Sequence, residues 1–271
     1  MAEVEKTTPI PGTALQIHGL YREVPGVPNA PIVVLVHCLT AGKNSTKYYL
    51  AARAFEQAGY CSFRYDQYGF GDDARKFLDC TVLIHVADLE LVVGTLRAEQ
   101  PDRPITVVGH SLGGLTILLT RRRAFDAAVL WDTSHTGIWQ ERTASRDATG
   151  EGEAVRREFE DDHTIWEPRL GCYRFHWAYD ILVSEAMLRS MRTVDCTPLI
   201  GQLHKPVKLI AAGNTTMLPW QQVYYEHAND PKAFVVIEGA DHNFTVAETM
   251  TELFAETIDW LDQHGRVSTM R

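Results

Sequence analysis

Apolar positions along this chain alternate between short continuous runs and longer stretches with helical spacing. The runs are Pro31–His37, Ile105–Val108, Ala127–Trp131, Val207–Ala212 and Phe234–Glu238, rich in valine, isoleucine, leucine and alanine, and Tyr60–Asp66, with its aromatic residues, reads as a further strand. A β-branched run with no polar alternation is the pattern of a strand covered on both faces, as in a parallel sheet. Between them lie stretches with apolar residues three and four apart. Tyr48–Ala58 is closed by Gly59, and Leu83–Glu99 carries Val86, Leu89, Val92, Val93 and Leu96 and is ended by Pro101 and Pro104. Glu248–His264 is a closing amphipathic helix. Strands alternating with helices predict an α/β fold with a doubly wound, mostly parallel sheet. Ahead of the first run, alternation over Thr13–Glu23 predicts an antiparallel strand, and residues 1–12 read as a loose lead-in.

One region breaks this rhythm. From Thr133 to Leu203, about 70 residues contain no buried-strand run, but they do contain Trp139, Trp166, Tyr173, Phe175, Trp177 and Tyr179 among charges. Asp147–Gly152 is polar and reads as a mobile loop. The pattern predicts a helical cap, residues 133–203, inserted into a core of residues 1–132 and 204–271. Most of the cap's aromatics would glue it to the body, and some could line an apolar pocket.

Composition narrows the classes. A chain of 271 residues with 45% hydrophobic content can bury a full core. Its 26 basic and 35 acidic residues give a formal charge of −9, which argues against a nucleic-acid or anionic-membrane surface. Cys38, Cys61, Cys80, Cys172 and Cys196 are odd in number and lack metal-type spacing, so they read as free thiols in a reducing cytosol. The N-terminal residues lack the apolar core of a signal peptide, and no run of about 18 apolar residues occurs. A cytoplasmic, soluble protein is the expectation, and its oligomeric state is open.

Candidate chemistry centres on Gly109-His110-Ser111-Leu112-Gly113. A predicted strand precedes it and an apolar helical segment follows, the context in which G-x-S-x-G places a serine on a sharp, strained turn. Glycines let strand and helix close around the turn, and the Leu112 amide lies at a helix N-terminus where it could donate to an oxyanion. A nucleophilic serine needs a base, itself oriented by a third group. His242, in Gly239-Ala240-Asp241-His242-Asn243 after the last strand, is the best placed of the 11 histidines, although His37, His110 and His135 should lie near the same edge.

Four stretches, VLVHCLTAGKNS, RYDQYGFGDD with the following ARKFLDCT, VVGHSLGG and IEGADHNF, resemble the α/β-hydrolase superfamily. Within it the chain is most similar to the cinnamoyl/feruloyl-esterase-like branch, over about residues 30–132 and 205–262. The resemblance implies carboxylic-ester hydrolysis through an acyl-enzyme, with no metal or organic cofactor. It also implies that the Leu39 amide pairs with that of Leu112 in the oxyanion hole. The chain departs from the pattern twice. The oxyanion loop reads His37-Cys38-Leu39 where the family has His-Gly, and Cys38 there could be a reactive thiol or a small buried hydrophobe. The family's acid position, in the turn Gly213-Asn214-Thr215-Thr216-Met217, holds no carboxylate, and Thr216 or a neighbour occupies its place.

Asp132 is the candidate replacement. It follows Ala127–Trp131, 21 positions after Ser111, where some α/β-hydrolases carry their acid. Alternatively it only caps the turn through Thr133 and Ser134. Asp241 is adjacent to His242 and faces elsewhere, and Asp66 reads as a loop-shaping residue beside Gly69 and Gly71. The leading expectation is a serine hydrolase of Ser111, His242 and Asp132, acting on an ester or thioester of a small apolar or aromatic acyl group. The same residues allow acyl transfer, lactonisation or cyclisation, and the departures allow a small-molecule-binding pseudo-hydrolase.

Overall fold

The computed structural model describes residues 3–137, 159–161, 163–176 and 180–266. Eight strands form one sheet: β1 (Val4–Pro9), β2 (Gln16–Arg22), β3 (Ile32–Val36), β4 (Cys61–Tyr65), β5 (Ile105–His110), β6 (Ala127–Trp131), β10 (Val207–Ala212) and β11 (Lys232–Ile237). Their order is β1-β2-β4-β3-β5-β6-β10-β11. The pairs from β4 to β11 are parallel, and β1 and β2 add an antiparallel edge. The mostly parallel doubly wound sheet is the predicted fold class.

Side chains of β3 show why the central strands read as unbroken apolar runs. Ile32, Val34 and Val36 join the core cluster on one face, and Val33 and Leu35 join the cluster on the other. Helices α1 (Thr46–Gln57) and α7 (Thr249–His264) cover the second face through Tyr48, Ala51, Phe55, Leu253 and Leu261. Helices α2 (Val82–Glu99) and α3 (Leu112–Leu119) cover the first through Leu89, Val92, Leu115 and Leu118.

Three elements differ from expectation. Residues 4–9 form the edge strand β1 rather than a loose lead-in, and this strand is mostly exposed. It holds its place through polar contacts: Glu3 accepts from Arg22 Nε at 3.0 Å and from Arg64. A charged edge strand has no apolar signature to read. Helix α6 (Leu218–His227) follows β10, burying Gln221 and Tyr224.

The third difference corrects the insertion, which is not purely helical. It carries a three-stranded antiparallel sheet, β7 (Thr164–Glu167), β8 (Cys172–His176) and β9 (Asp180–Val183), before α4 (Glu185–Arg192) and α5 (Thr197–Gly201). These strands are short and alternate, with Thr164, Tyr173, Phe175 and Val183 buried and Ile165, His176 and Leu182 exposed, so no continuous apolar run announces them. Tyr173 and Phe175 belong to the core cluster and Trp166 packs against it, joining insertion to body. Trp139, Trp177, Tyr179 and Asp147–Gly152 lie outside the described residues.

Candidate active site

Strand β5 ends on His110, and Ser111 turns the chain with φ 55° and ψ −117° before α3 begins. That is a left-handed backbone angle on a residue with a Cβ, of the kind held only where surrounding structure enforces it. Two glycines permit the turn. A Cβ on Gly109 would stand 2.6 Å from the Gly113 backbone, and a Cβ on Gly113 would stand 2.2 Å from the Val36 carbonyl oxygen. The first turn of α3, with the Leu112 amide, is thereby pressed against the end of β3, from which the His37-Cys38-Leu39 loop departs. Ser111 Oγ lies 3.1 Å from Ser134 Oγ.

Asp132 follows β6 with φ 38° and is fully buried. Its Oδ2 is 2.6 Å from His242 Nδ1, and its Oδ1 accepts from the Ala212 amide at 3.3 Å. A carboxylate facing Nδ1 fixes the proton there and leaves the lone pair of the neutral ring on Nε2. The structure therefore brings Asp132 and His242 together. Thr216 and Asn214 are exposed, and Thr215 is spent on its own turn, with Oγ1 donating to the Ala212 carbonyl and accepting from the Met217 amide. Asp241 accepts from the Thr245 amide and hydroxyl at 2.6 and 2.7 Å. Asp66 shapes loops: it accepts from the Lys43 amide and ammonium and from the Asp72 amide.

The segment after Asp132 is gripped by α6. Gln221 accepts from the Thr133 amide at 3.1 Å and donates to the Thr133 carbonyl at 2.6 Å. Tyr224 donates to the Ser134 carbonyl at 2.9 Å, and the Ser134 amide donates to the Ser111 carbonyl at 3.1 Å. His135 stacks on Trp220 with ring centres 4.4 Å apart, and burial pushes its pKa down to about 4. No run of apolar residues marks these contacts, so the sequence pointed to neither Gln221 nor Tyr224, and to Ser134 only as part of the turn after Asp132.

The His37-Cys38-Leu39 loop is held from the β4 side. His37 Nε2 accepts from the Gln67 amide at 3.0 Å, and its Nδ1 donates to the Cys38 carbonyl at 2.8 Å. Burial lowers the His37 pKa to about 4, so the ring is neutral near pH 7. Cys38 and Leu39 are buried. Beneath the site lie Lys47 and Tyr48 of α1 and His110 of β5, also buried. Burial, followed by the charge of Lys47, pushes the His110 pKa far below its ordinary value, and burial brings Lys47 down to about 8. Among the described residues no three His, Cys, Asp or Glu side chains gather where they could hold a metal ion. No helix among them is long and apolar enough to cross a membrane.

Several solved structures share this architecture. The chain is similar to Est1E from Butyrivibrio proteoclasticus with ferulic acid bound, at 15% identity and a TM-score of 0.75, covering 96% of this chain and 98% of that one. It is similar to GrgF, an alpha/beta hydrolase from Penicillium sp. sh18, at 16% identity and a TM-score of 0.70, covering 97% and 98%. A dienelactone hydrolase from Anabaena variabilis matches at 14% identity and a TM-score of 0.67, covering 98% and 99%. At such identities the likeness carries the fold and not the substrate. No curated protein matches the chain. The model of the alpha/beta hydrolase family matches residues 33–257, most of the chain and every element that holds the serine, histidine and aspartate, and the chain belongs to that family.

Proposed function

We propose that the protein is a serine hydrolase that cleaves an ester or thioester of a small apolar or aromatic acyl group through an acyl-enzyme. The observation that carries this reading is the 2.6 Å contact between His242 Nδ1 and Asp132 Oδ2, together with a serine held at φ 55° on its elbow. Ser111 Oγ attacks the acyl carbonyl, and His242 Nε2 takes its proton and passes it to the leaving alcohol or thiol. Water then attacks the acyl-serine with His242 as base. Buried Asp132 keeps the ring in the required tautomer and stabilises the imidazolium that forms. The amides of Leu39 and Leu112 are assigned to the oxyanion. The apolar or aromatic acyl class draws on the feruloyl-esterase-like motifs and on the likeness to an esterase that binds ferulic acid. Residues 133–203 are read as a cap over the catalytic edge that selects the acyl group. Five free, buried cysteines are compatible with a reducing, cytoplasmic setting.

A fluorophosphonate probe and p-nitrophenyl acyl esters test the reading on the wild type, Ser111→Ala, Asp132→Asn and Thr216→Asp. The wild type takes the label, and Ser111→Ala takes none. Turnover of Asp132→Asn falls by about ten-thousand-fold, the penalty for an amide at this place in serine proteases. Thr216→Asp stays near wild type, because its side chain is exposed. Full turnover in Asp132→Asn would sink the assignment of the acid, and an unlabelled wild type would sink the acyl-enzyme.

A further inference from the structure

Three separate segments would carry the reaction: the oxyanion loop at 37–39, the elbow at 110–112 and the base loop at 239–244. A single buried chain of hydrogen bonds runs through all three. The Cys38 amide donates to Tyr48 Oη at 3.0 Å. Tyr48 Oη is 3.3 Å from His110 Nδ1, and His110 Nε2 is 2.8 Å from the His242 carbonyl oxygen. Lys47 Nζ is 3.2 Å from the same His110 Nδ1 and 5.7 Å from the centre of the Phe244 ring, two residues beyond His242.

The end groups set the directions, and the one lone pair of His110 Nδ1 is shared between two donors, Tyr48 Oη and Lys47 Nζ. A carbonyl only accepts, so His110 bears its proton on Nε2 and presents a lone pair at Nδ1. An amide only donates, so Tyr48 Oη accepts from Cys38, and its one proton remains for His110. Cys38, Lys47, Tyr48 and His110 are each more than nine-tenths buried, where such a chain is stronger than in water and any unmatched group is expensive. The His110 pKa is held far down by burial and by the Lys47 charge, so the polarity of the chain does not reverse near pH 7.

We infer that Tyr48 and Lys47, acting through His110, are positioning residues that lock the oxyanion loop to the base loop across the nucleophile elbow. The inference rests on the reading of Ser111 and His242 as nucleophile and base. Helix α1 supplies both groups from adjacent positions at its first turn, so one rigid element sets the spacing of segments far apart in sequence. The lysine is the telling member. A buried ammonium is disfavoured by desolvation, and an apolar side chain of similar length at such a position is often neutral or stabilising for the fold. Its place beneath the site is matched by what it holds, the acceptor nitrogen of His110.

Tyr48→Phe and Lys47→Met test this in the full-length protein, with p-nitrophenyl ester kinetics, fluorophosphonate labelling and thermal melts. Each variant is expected to lose about tenfold to a hundredfold in kcat with KM unchanged, the scale of a small misplacement of catalytic groups. Lys47→Met is expected to melt at or above the wild type while turning over more slowly. Residues that only supported the fold would lose stability and activity together. Wild-type kcat in both variants would overturn the inference, as would a kcat that falls only in step with the melting temperature, or a change confined to KM. Labelling of the wild type decides separately on the nucleophile, so the two readings can fail independently.

Discussion

A Cβ on Gly113 would stand 2.2 Å from the Val36 carbonyl oxygen and 2.8 Å from that of His37, backbone atoms of the sheet's buried centre. Neither can give way, so Gly113→Ala is expected to lose about 2–3 kcal/mol of stability and nearly all turnover. A urea midpoint equal to wild type would show that the elbow has slack. Ser134 is a subtler case. Its amide and carbonyl are fixed by Ser111 and Tyr224, and its hydroxyl is 3.1 Å from the Ser111 hydroxyl, where it can donate to an oxygen gaining negative charge. Ser134→Ala removes one neutral hydrogen bond, worth about 1 kcal/mol, so fluorophosphonate labelling should slow about fivefold. An unchanged labelling rate would show that this hydroxyl is a bystander. The elbow at Ser111 and the loop of His242 were legible as places in the fold, because glycine punctuation and strand ends mark where the chain turns. The contact of Asp132 with His242 was reachable only through the family resemblance, which placed the usual acid at a turn that here holds exposed Thr216. Lys47 and Tyr48 were not legible. Helical spacing marks where α1 runs but not that its first turn buries Lys47 and Tyr48 while leaving Tyr49 exposed, and only the tertiary packing of the helix decides that.

At the scale of elements, legibility followed burial. Strands β3, β5, β6 and β10 are covered on both faces and announce themselves as apolar runs. Strands β7 to β9 are covered on one face, and β1 is held at the sheet edge by Glu3 and its arginine partners, so their sequences carry no such run. The insertion meets the core through polar capping as well as aromatic packing. Ser184 caps α4 by accepting from the Met187 amide at 3.0 Å, and Ser190, six residues on, accepts from the Val82 amide at 3.0 Å. Val82 opens α2, whose first amides have no partner within the helix. Ser190 thus closes the end of a core helix from the insertion. Ser190→Ala should lower stability by about 1 kcal/mol, as loss of a helix cap does. A smaller urea-unfolding midpoint with an unchanged slope would confirm it, and an unchanged midpoint would mean that water replaces the hydroxyl.

Across the whole molecule, the histidines decide the response to acid. His37 and His135 are brought to about 4 and His85 to about 3 by burial, and His110 lies well below its ordinary value. In the unfolded chain each would titrate near 6.5. Below that pH the unfolded state binds protons that the folded state refuses, so stability falls as pH falls, from about 6.5 down to the folded-state values. His37 alone spans about two and a half pH units, equivalent to about 3 kcal/mol. The net charge of −9 works the other way, because carboxylates and histidines taking up protons reduce the chain's self-repulsion. That repulsion is spread over the surface and screened within about 10 Å at ordinary ionic strength, whereas each buried ring must be charged in place. The histidine effect should therefore win. Melting temperature is expected to drop steadily from pH 6.5 to 4.5, and His85→Leu should flatten the decline by removing one such ring, whose Nε2 is 2.9 Å from buried Cys80 Sγ. A melting temperature that stays level across this range would mean that the buried rings find proton acceptors on charging. It would also mean that His110 can take a second proton beneath Ser111 and lose its acceptor at Nδ1.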